Sequence, residues 1–332
     1  MRVVDTAGVR RHLNRHIRTL ALAVVAVLPV AFLGGCAGTG IWSESSINAG
    51  LPAHVELKDT PFFAQAQHQC GPASLAMALG AAGFEAQPKD LEPMVFLPDR
   101  AGSLQAEMLV AARRRGALAY VIPPRPDALL AELAAGRPVV VLQNLGLSFA
   151  SRWHYAVAIG YDRPTQQIIL RSGLTERELM SLRTFGHTWG RSNHWALVIL
   201  APGQLPLQAD PAALEKSLAA LEKHAQAGHM LRYYDAASRR WPDNDLFRMG
   251  VGINAYNAGK LDIAESAFRT VSAMKPDHTA ALNNLATVLQ DLGRLDEALA
   301  VAEKAVAQRD QWQAQALATR DGIRQAMQRH HP

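Results

Sequence analysis

Set against itself at an offset of 34 residues, the chain places Gly259 over Gly293, Leu261 over Leu295, Asp262 over Asp296 and Ala264 over Ala298. The segments Asn257-Ala258-Gly259-Lys260-Leu261-Asp262 and Asp291-Leu292-Gly293-Arg294-Leu295-Asp296 read alike. Such a period is one helix pair, with small residues where the two helices cross. A lone pair cannot bury its apolar face, so neighbouring pairs must stack. Pro242 lies 34 residues before Pro276 and implies a diverged first pair beginning near Pro211. This confines residues 204–312 to a stacked helical array, with 313–332 as a capping helix and tail.

Pro202 and Pro206 mark a boundary, and before it the pattern is mixed. A strand is predicted near 55–63, helices over 71–83 and 103–115, a strand over 118–122, a helix over 126–135 and a strand over 138–143. Strands are then expected over 153–161, 167–170 and 195–200, with 174–194 as an irregular excursion. Helix first and antiparallel sheet after predicts an α+β domain over 53–203, with a site in the cleft between its layers.

The chemistry concentrates in Gln65-Ala66-Gln67-His68-Gln69-Cys70-Gly71-Pro72-Ala73-Ser74 and, 84 residues after Cys70, in Trp153-His154-Tyr155. Pro72 suits a first helical turn, where its missing N–H costs nothing, so Cys70 is expected at a helix N-terminus. There the dipole and the unpaired N–H groups favour thiolate. His154 begins an apolar strand rigid enough to hold an imidazole as base. Attack on an amide also develops an oxyanion, for which the Gln65 amide and the Cys70 N–H are candidate donors. Gln67 and Gln69 rival Gln65. His187 and His194 could compete with His154 as base or bind metal, but neither has a cysteine or carboxylate at metal-ligand spacing, and His68, in the loop before the helix, reads as a cleft-lining residue. Trp153, Tyr155 and Trp195 read as core or cleft wall.

Gln65, the Cys70-Gly71-Pro72-Ala73-Ser74-Leu75 segment and His154-Tyr155-Ala156-Val157-Ala158-Ile159-Gly160-Tyr161-Asp162 together resemble the bacteriocin-processing (double-glycine leader) peptidase family, a papain-like group. The resemblance spans roughly 55–203. It implies a cysteine peptidase with Cys70 as nucleophile, His154 as base, Gln65 as oxyanion donor, peptide or protein substrates and no cofactor. The 34-residue units resemble tetratricopeptide repeats, implying a possible site for a protein partner. The expected architecture is an α+β papain-like cysteine peptidase domain followed by an all-α tetratricopeptide-repeat domain.

One position departs from the family. After the histidine strand its members carry Asp, or Asn in other papain-like enzymes, to orient the imidazole. Here Ile168-Ile169-Leu170-Arg171-Ser172-Gly173 offers Ser172, an uncharged and weaker orienter. Asp162 reads instead as a turn residue before Pro164. The substitution keeps open a second reading, a degenerate peptidase fold serving as a scaffold, and a third in which the acyl-enzyme passes to an amine.

The N-terminus bears on location. Arg2, Arg10, Arg11, Arg15 and Arg18 precede an apolar run over 20–33 that is short for a membrane span and ends in Leu33-Gly34-Gly35-Cys36. This resembles a lipoprotein signal over 1–35 with Cys36 lipidated, followed by a tether over 36–52. A membrane-anchored envelope protein facing the periplasm is expected, at the outer membrane rather than the inner because Ala37 is no aspartate-type retention signal. Without 1–35 the formal charge falls from +5 to about +1, which removes the compositional case for nucleic acid. Gly252 and Gly259-Lys260 have the wrong spacing for a phosphate loop, so no nucleotide is expected. With two cysteines in the chain and Cys36 lipidated, Cys70 would be an exported thiol with no disulfide partner.

Overall fold

The computed structural model describes residues 50–65, 69–98, 102–147 and 149–330. The candidate signal 1–35, Cys36, the tether up to residue 49, Gln67 and His68 lie outside the described residues. Among those described, no helix is long and apolar enough to cross a membrane.

Strand β1 (His54–Glu56) leads through an extended segment to α1 (Cys70–Ala81) and α2 (Pro88–Val95). A small hairpin, β2 (Phe96–Leu97) and β3 (Gly102–Ser103), precedes α3 (Gln105–Arg114), β4 (Leu118–Val121), α4 (Pro126–Ala134) and β5 (Val139–Asn144). Then come β6 (Trp153–Asp162), β7 (Gln167–Ser172), β8 (Thr175–Ser181), α5 (Leu182–Gly190) and β9 (Ala196–Leu200). The main sheet is seven-stranded, in the order β4-β9-β5-β6-β7-β8, with β1 beside the far end of β6. All its pairings are antiparallel. The central strands are buried on both faces, which is why β5 and β9 read as unbroken apolar runs rather than alternating ones.

On one face, Val140, Tyr155, Val157, Ile159 and Leu197 pack against Leu75, Met77 and Leu79 of α1 and Met108 of α3. On the other, Val139, Val141, Ala156, Leu170 and Val198 join a core that runs continuously into the helical region. In that region α6 (Pro211–Leu221), which lies chiefly against β4, and α7 (Ala227–Arg240) precede two stacked pairs, α8 (Asp245–Asn257) with α9 (Leu261–Met274) and α10 (Thr279–Asp291) with α11 (Leu295–Ala307), followed by α12 (Gln313–His330). Gly259 and Gly293 have φ of 72° and 74°, and the residue after each donates its N–H five residues back, Lys260 to Ala255 and Arg294 to Leu289. The period found in the sequence is thus a repeated left-handed helix end. A Cβ on Gly252 would strike the Phe268 ring at 2.5 Å; this glycine serves helix packing, not a phosphate.

The join between the two parts is polar as well as apolar. Tyr233 of α7 donates its hydroxyl to the Leu200 carbonyl at 2.7 Å and accepts the Leu118 N–H at 3.3 Å, bridging β4 and β9. Glu132, buried in α4, takes the Leu207 N–H at 2.7 Å and Arg137 at 3.0 Å, fixing the connecting segment.

Two expectations need correction. Residues 174–194 are not irregular but form β8 and α5. The first is an exposed edge strand and so lacks apolar alternation, whereas α5 is capped by Ser181 and buries Leu182, Phe185 and Trp189. The strand expected over 55–63 is confined to β1, because the chain turns at Leu57 to Thr60 and offers the Lys58 and Thr60 carbonyls to the Arg171 guanidinium. Helix α2 was not foreseen from its polar, proline-interrupted sequence.

Candidate active site

Cys70 is the first residue of α1, and its N-cap, Gln69, makes no side-chain cap bond. No side-chain cap therefore competes for the first-turn N–H groups, of which those of Cys70 and Gly71 act on the sulfur. Gln69 itself donates to Glu92 of α2 at 3.2 Å, which occupies it outside the role of oxyanion donor. Cys70, Gln65, His154 and Gly173 line a single cleft of about 1020 Å³, shared with Ser103, Leu142, Tyr155 and Trp153. The sulfur rests against β6, where the backbone N–H of Tyr155 is directed at it. The two segments separated along the chain thus meet at one sulfur and the peptide that follows His154.

His154 is the second residue of β6, opposite Gln143 of β5. Its Nε2 lies 3.0 Å from Ser172 Oγ. Where that hydroxyl accepts, the neutral ring carries its proton on Nε2, and Nδ1 keeps the lone pair a base needs. Burial pushes the His154 pKa below its ordinary value; Glu178 on β8 works against this and Arg152 adds to it. Burial likewise pushes the Cys70 thiol up, more than the nearby backbone N–H groups pull it down. The expectation that the helix end holds sulfur as thiolate is therefore corrected. At Cys70 desolvation works against the dipole, and both shifts, a thiol pushed up and an imidazole pushed down, favour the uncharged forms of the two groups.

Gln65 is 7% exposed and locked at both ends of its amide. Its backbone N–H donates to the Gly173 carbonyl at 3.0 Å, and its Oε1 accepts the Gly173 N–H at 3.2 Å. With the oxygen so committed, Nε2 turns toward α1, 3.4 Å from Ser74 Oγ, with a second N–H to spare. The Ser172-Gly173 turn consequently sets the imidazole through one residue and the amide through the next.

The other histidines lie elsewhere. His194 packs edge-on against Trp189, with ring centroids 4.8 Å apart, and His187 is exposed at the end of α5. Asp162 accepts the Thr165 N–H at 3.0 Å in its turn. Tyr155 is buried, edge-on to Trp195, and donates to the Ser103 carbonyl at 3.2 Å. Trp153 is 52% exposed on the cleft rim. Sequence reasoning missed Ser103 and Asn144, which carry no motif, and Arg152, whose place beside Trp153-His154 was the available signal.

The architecture is a papain-like α+β layer followed by stacked helical repeats. Residues 57–193 match the Peptidase_C39 like family and residues 252–314 the tetratricopeptide repeat family. A C39-like peptidase from Bacillus anthracis is among the similar solved structures, at 19% identity and a TM-score of 0.39, covering 45% of this chain and 98% of that one. The type III secretion translocator chaperone SycD of Yersinia enterocolitica matches at 15% identity and a TM-score of 0.33, over 35% of this chain and 83% of its own. The Sgt2 tetratricopeptide domain from Aspergillus fumigatus matches at 12% identity and a TM-score of 0.34, over 36% and 81%. No curated protein matches.

Proposed function

We propose that the chain is a cysteine peptidase working through Cys70 and His154. The observation that carries this reading is the shared cleft, which Cys70, His154 and the anchored Gln65 all line. Starting from the neutral pair, Sγ attacks the peptide carbonyl carbon while its proton passes to Nδ1 of His154. The resulting oxyanion lies between Gln65 Nε2 and the Cys70 N–H. As it collapses, the carbon–nitrogen bond breaks and Nδ1 returns the proton to the departing amine, leaving a thioester on Cys70. Water, deprotonated by Nδ1, then attacks the thioester, and the sulfur leaves with the proton. Ser172 holds the ring throughout, by a hydrogen bond without charge.

That missing charge favours a second reading, a C39-like layer retained as a scaffold beside repeats that hold a protein partner. Both readings include the expected lipoprotein: cleavage before Cys36, lipidation there, and anchoring in the envelope, at the outer membrane. One experiment separates the two readings. Purified protein and its Cys70→Ala variant are incubated with a complex peptide pool, and new termini are read by mass spectrometry. Termini that appear only with intact Cys70 support the peptidase; identical pools leave the scaffold. Products joined to an added amine would mark the transfer variant. Labelling cells with an alkyne fatty acid, with Cys36→Ala as control, tests the anchor.

A further inference from the structure

The cleft holds a cation that no described acid answers. Arg152 lines it two residues before His154, and its side chain is exposed. Its backbone is fixed, since its N–H donates to Asn144 Oδ1 at 2.8 Å. Asn144 is 3% exposed; it also accepts the Gly146 N–H at 3.0 Å and donates to Ser151 Oγ at 3.0 Å. Arg191 clamps the same hairpin from α5, donating to the Asn144 carbonyl at 3.0 Å and the Gly146 carbonyl at 2.6 Å. The two guanidinium groups thus differ. That of Arg191 is committed to backbone oxygens, whereas that of Arg152 has no ion-pair or hydrogen-bond partner among the described residues. None of the described residues lining the cleft is Asp or Glu.

The reaction direction says which part of a substrate meets this cation. A general acid must stand at the departing nitrogen, so the wall bearing His154 faces the segment that follows the scissile bond. Two strand residues span about 6–7 Å, roughly the reach of the second substrate residue past the cleavage point. The hydrogen bonds at Asn144, Gly146 and Arg152 hold the backbone on which the guanidinium is carried, so no main-chain ordering is needed for the pair to form.

We infer that Arg152, its backbone fixed on the leaving-group wall of a cleft that no described acid lines, selects substrates that carry a carboxylate shortly after the scissile bond. The inference rests on the peptidase reading for its orientation. The carboxylate comes from an Asp or Glu side chain or from the chain end of a substrate cut near its C-terminus.

The test uses internally quenched peptides that share one sequence before the bond, taken from a site mapped in the peptide pool. At the second residue after the bond they carry Glu, Gln or Lys, and a shorter pair ends there in a free carboxylate or an amide. With wild-type protein kcat/KM should be about two- to fivefold higher for Glu than for Gln, the size of one exposed charge pair. Arg152→Ala should level the two, and Arg152→Glu should place Lys first. Preference for the free carboxylate over the amide identifies the chain end as the source. Equal rates for Glu and Gln in wild type, or an unchanged ratio in Arg152→Ala, overturn the inference while leaving the peptidase intact. Binding of the same labelled peptides to Cys70→Ala, followed by anisotropy, keeps the two claims apart. Absence of turnover refutes the peptidase, and acid selectivity that disappears with Arg152 upholds the cation site on its own.

Discussion

The Nε2 atom of His154 stands 3.0 Å from the Ser172 hydroxyl, where a charged partner would hold an imidazolium more firmly. Ser172→Ala should therefore lower kcat/KM by about ten- to a hundredfold, with loss of ring orientation rather than loss of a charge. Ser172→Asp should raise the ring pKa. Both effects can be read together, the first from peptide hydrolysis and the second from the His154 ring shift in NMR titration. A Ser172→Ala enzyme with unaltered kcat/KM removes Ser172 from the mechanism.

Gln65 makes a different prediction, because its donor acts on charge present only during reaction. Gln65→Ala should reduce kcat by about 10²–10³ with KM nearly unchanged. The Gly173 N–H would lose its acceptor, so circular dichroism must first show that the variant is folded. An equal loss in KM would make Gln65 a substrate-binding residue instead.

The neutral resting pair has a pH signature. The His154 pKa is lowered from 6.5, so the unprotonated base persists to more acidic pH, and the acid limb of kcat/KM should lie below 6.5. The Cys70 pKa is raised from 9.0, so thiolate is scarce at neutrality and grows only as pH climbs past 9. Iodoacetamide alkylation of Cys70 should accordingly rise steadily with pH into the alkaline range. A fast plateau at mildly acidic pH would reveal a thiolate–imidazolium pair and reverse this part of the account.

The core shared by sheet and repeats predicts that the two parts unfold together. Tyr233→Phe strips a buried donor from the Leu200 carbonyl and a buried acceptor from the Leu118 N–H. It should cost about 1–3 kcal/mol, seen in urea unfolding followed by circular dichroism, without splitting the transition in two. Two separate transitions in the wild-type protein would mean that the repeats are an independent appendage.

Much of this was legible before any coordinates. The period of 34 fixed the repeats because Gly259 and Gly293 must each supply the same left-handed turn. Cys70-Gly71-Pro72 announced a helix start, and the apolar run after His154 announced a rigid strand. What stayed hidden was tertiary. The dipole at Cys70 is local and readable, but the burial that opposes it comes from packing against the sheet that carries β6, 84 residues away. Gln65 could be named as a donor; that Gly173 aims it depends on a contact spanning 108 residues. Strand β8 leaves no apolar rhythm because it is an exposed edge, and the place of Arg152 shows only in the fold, where no described cleft-lining residue is acidic.

The pairing of Cys70 with His154 is tested most directly by covalent capture. Wild-type protein and its His154→Ala variant, shown to be equally folded, are treated with a peptidyl acyloxymethyl ketone, and intact mass is followed with time. The account predicts a single adduct on Cys70 in the wild type and, without the imidazole, a rate reduced at least a hundredfold. Labelling at the same rate in both proteins, or no labelling of Cys70 at all, would contradict it.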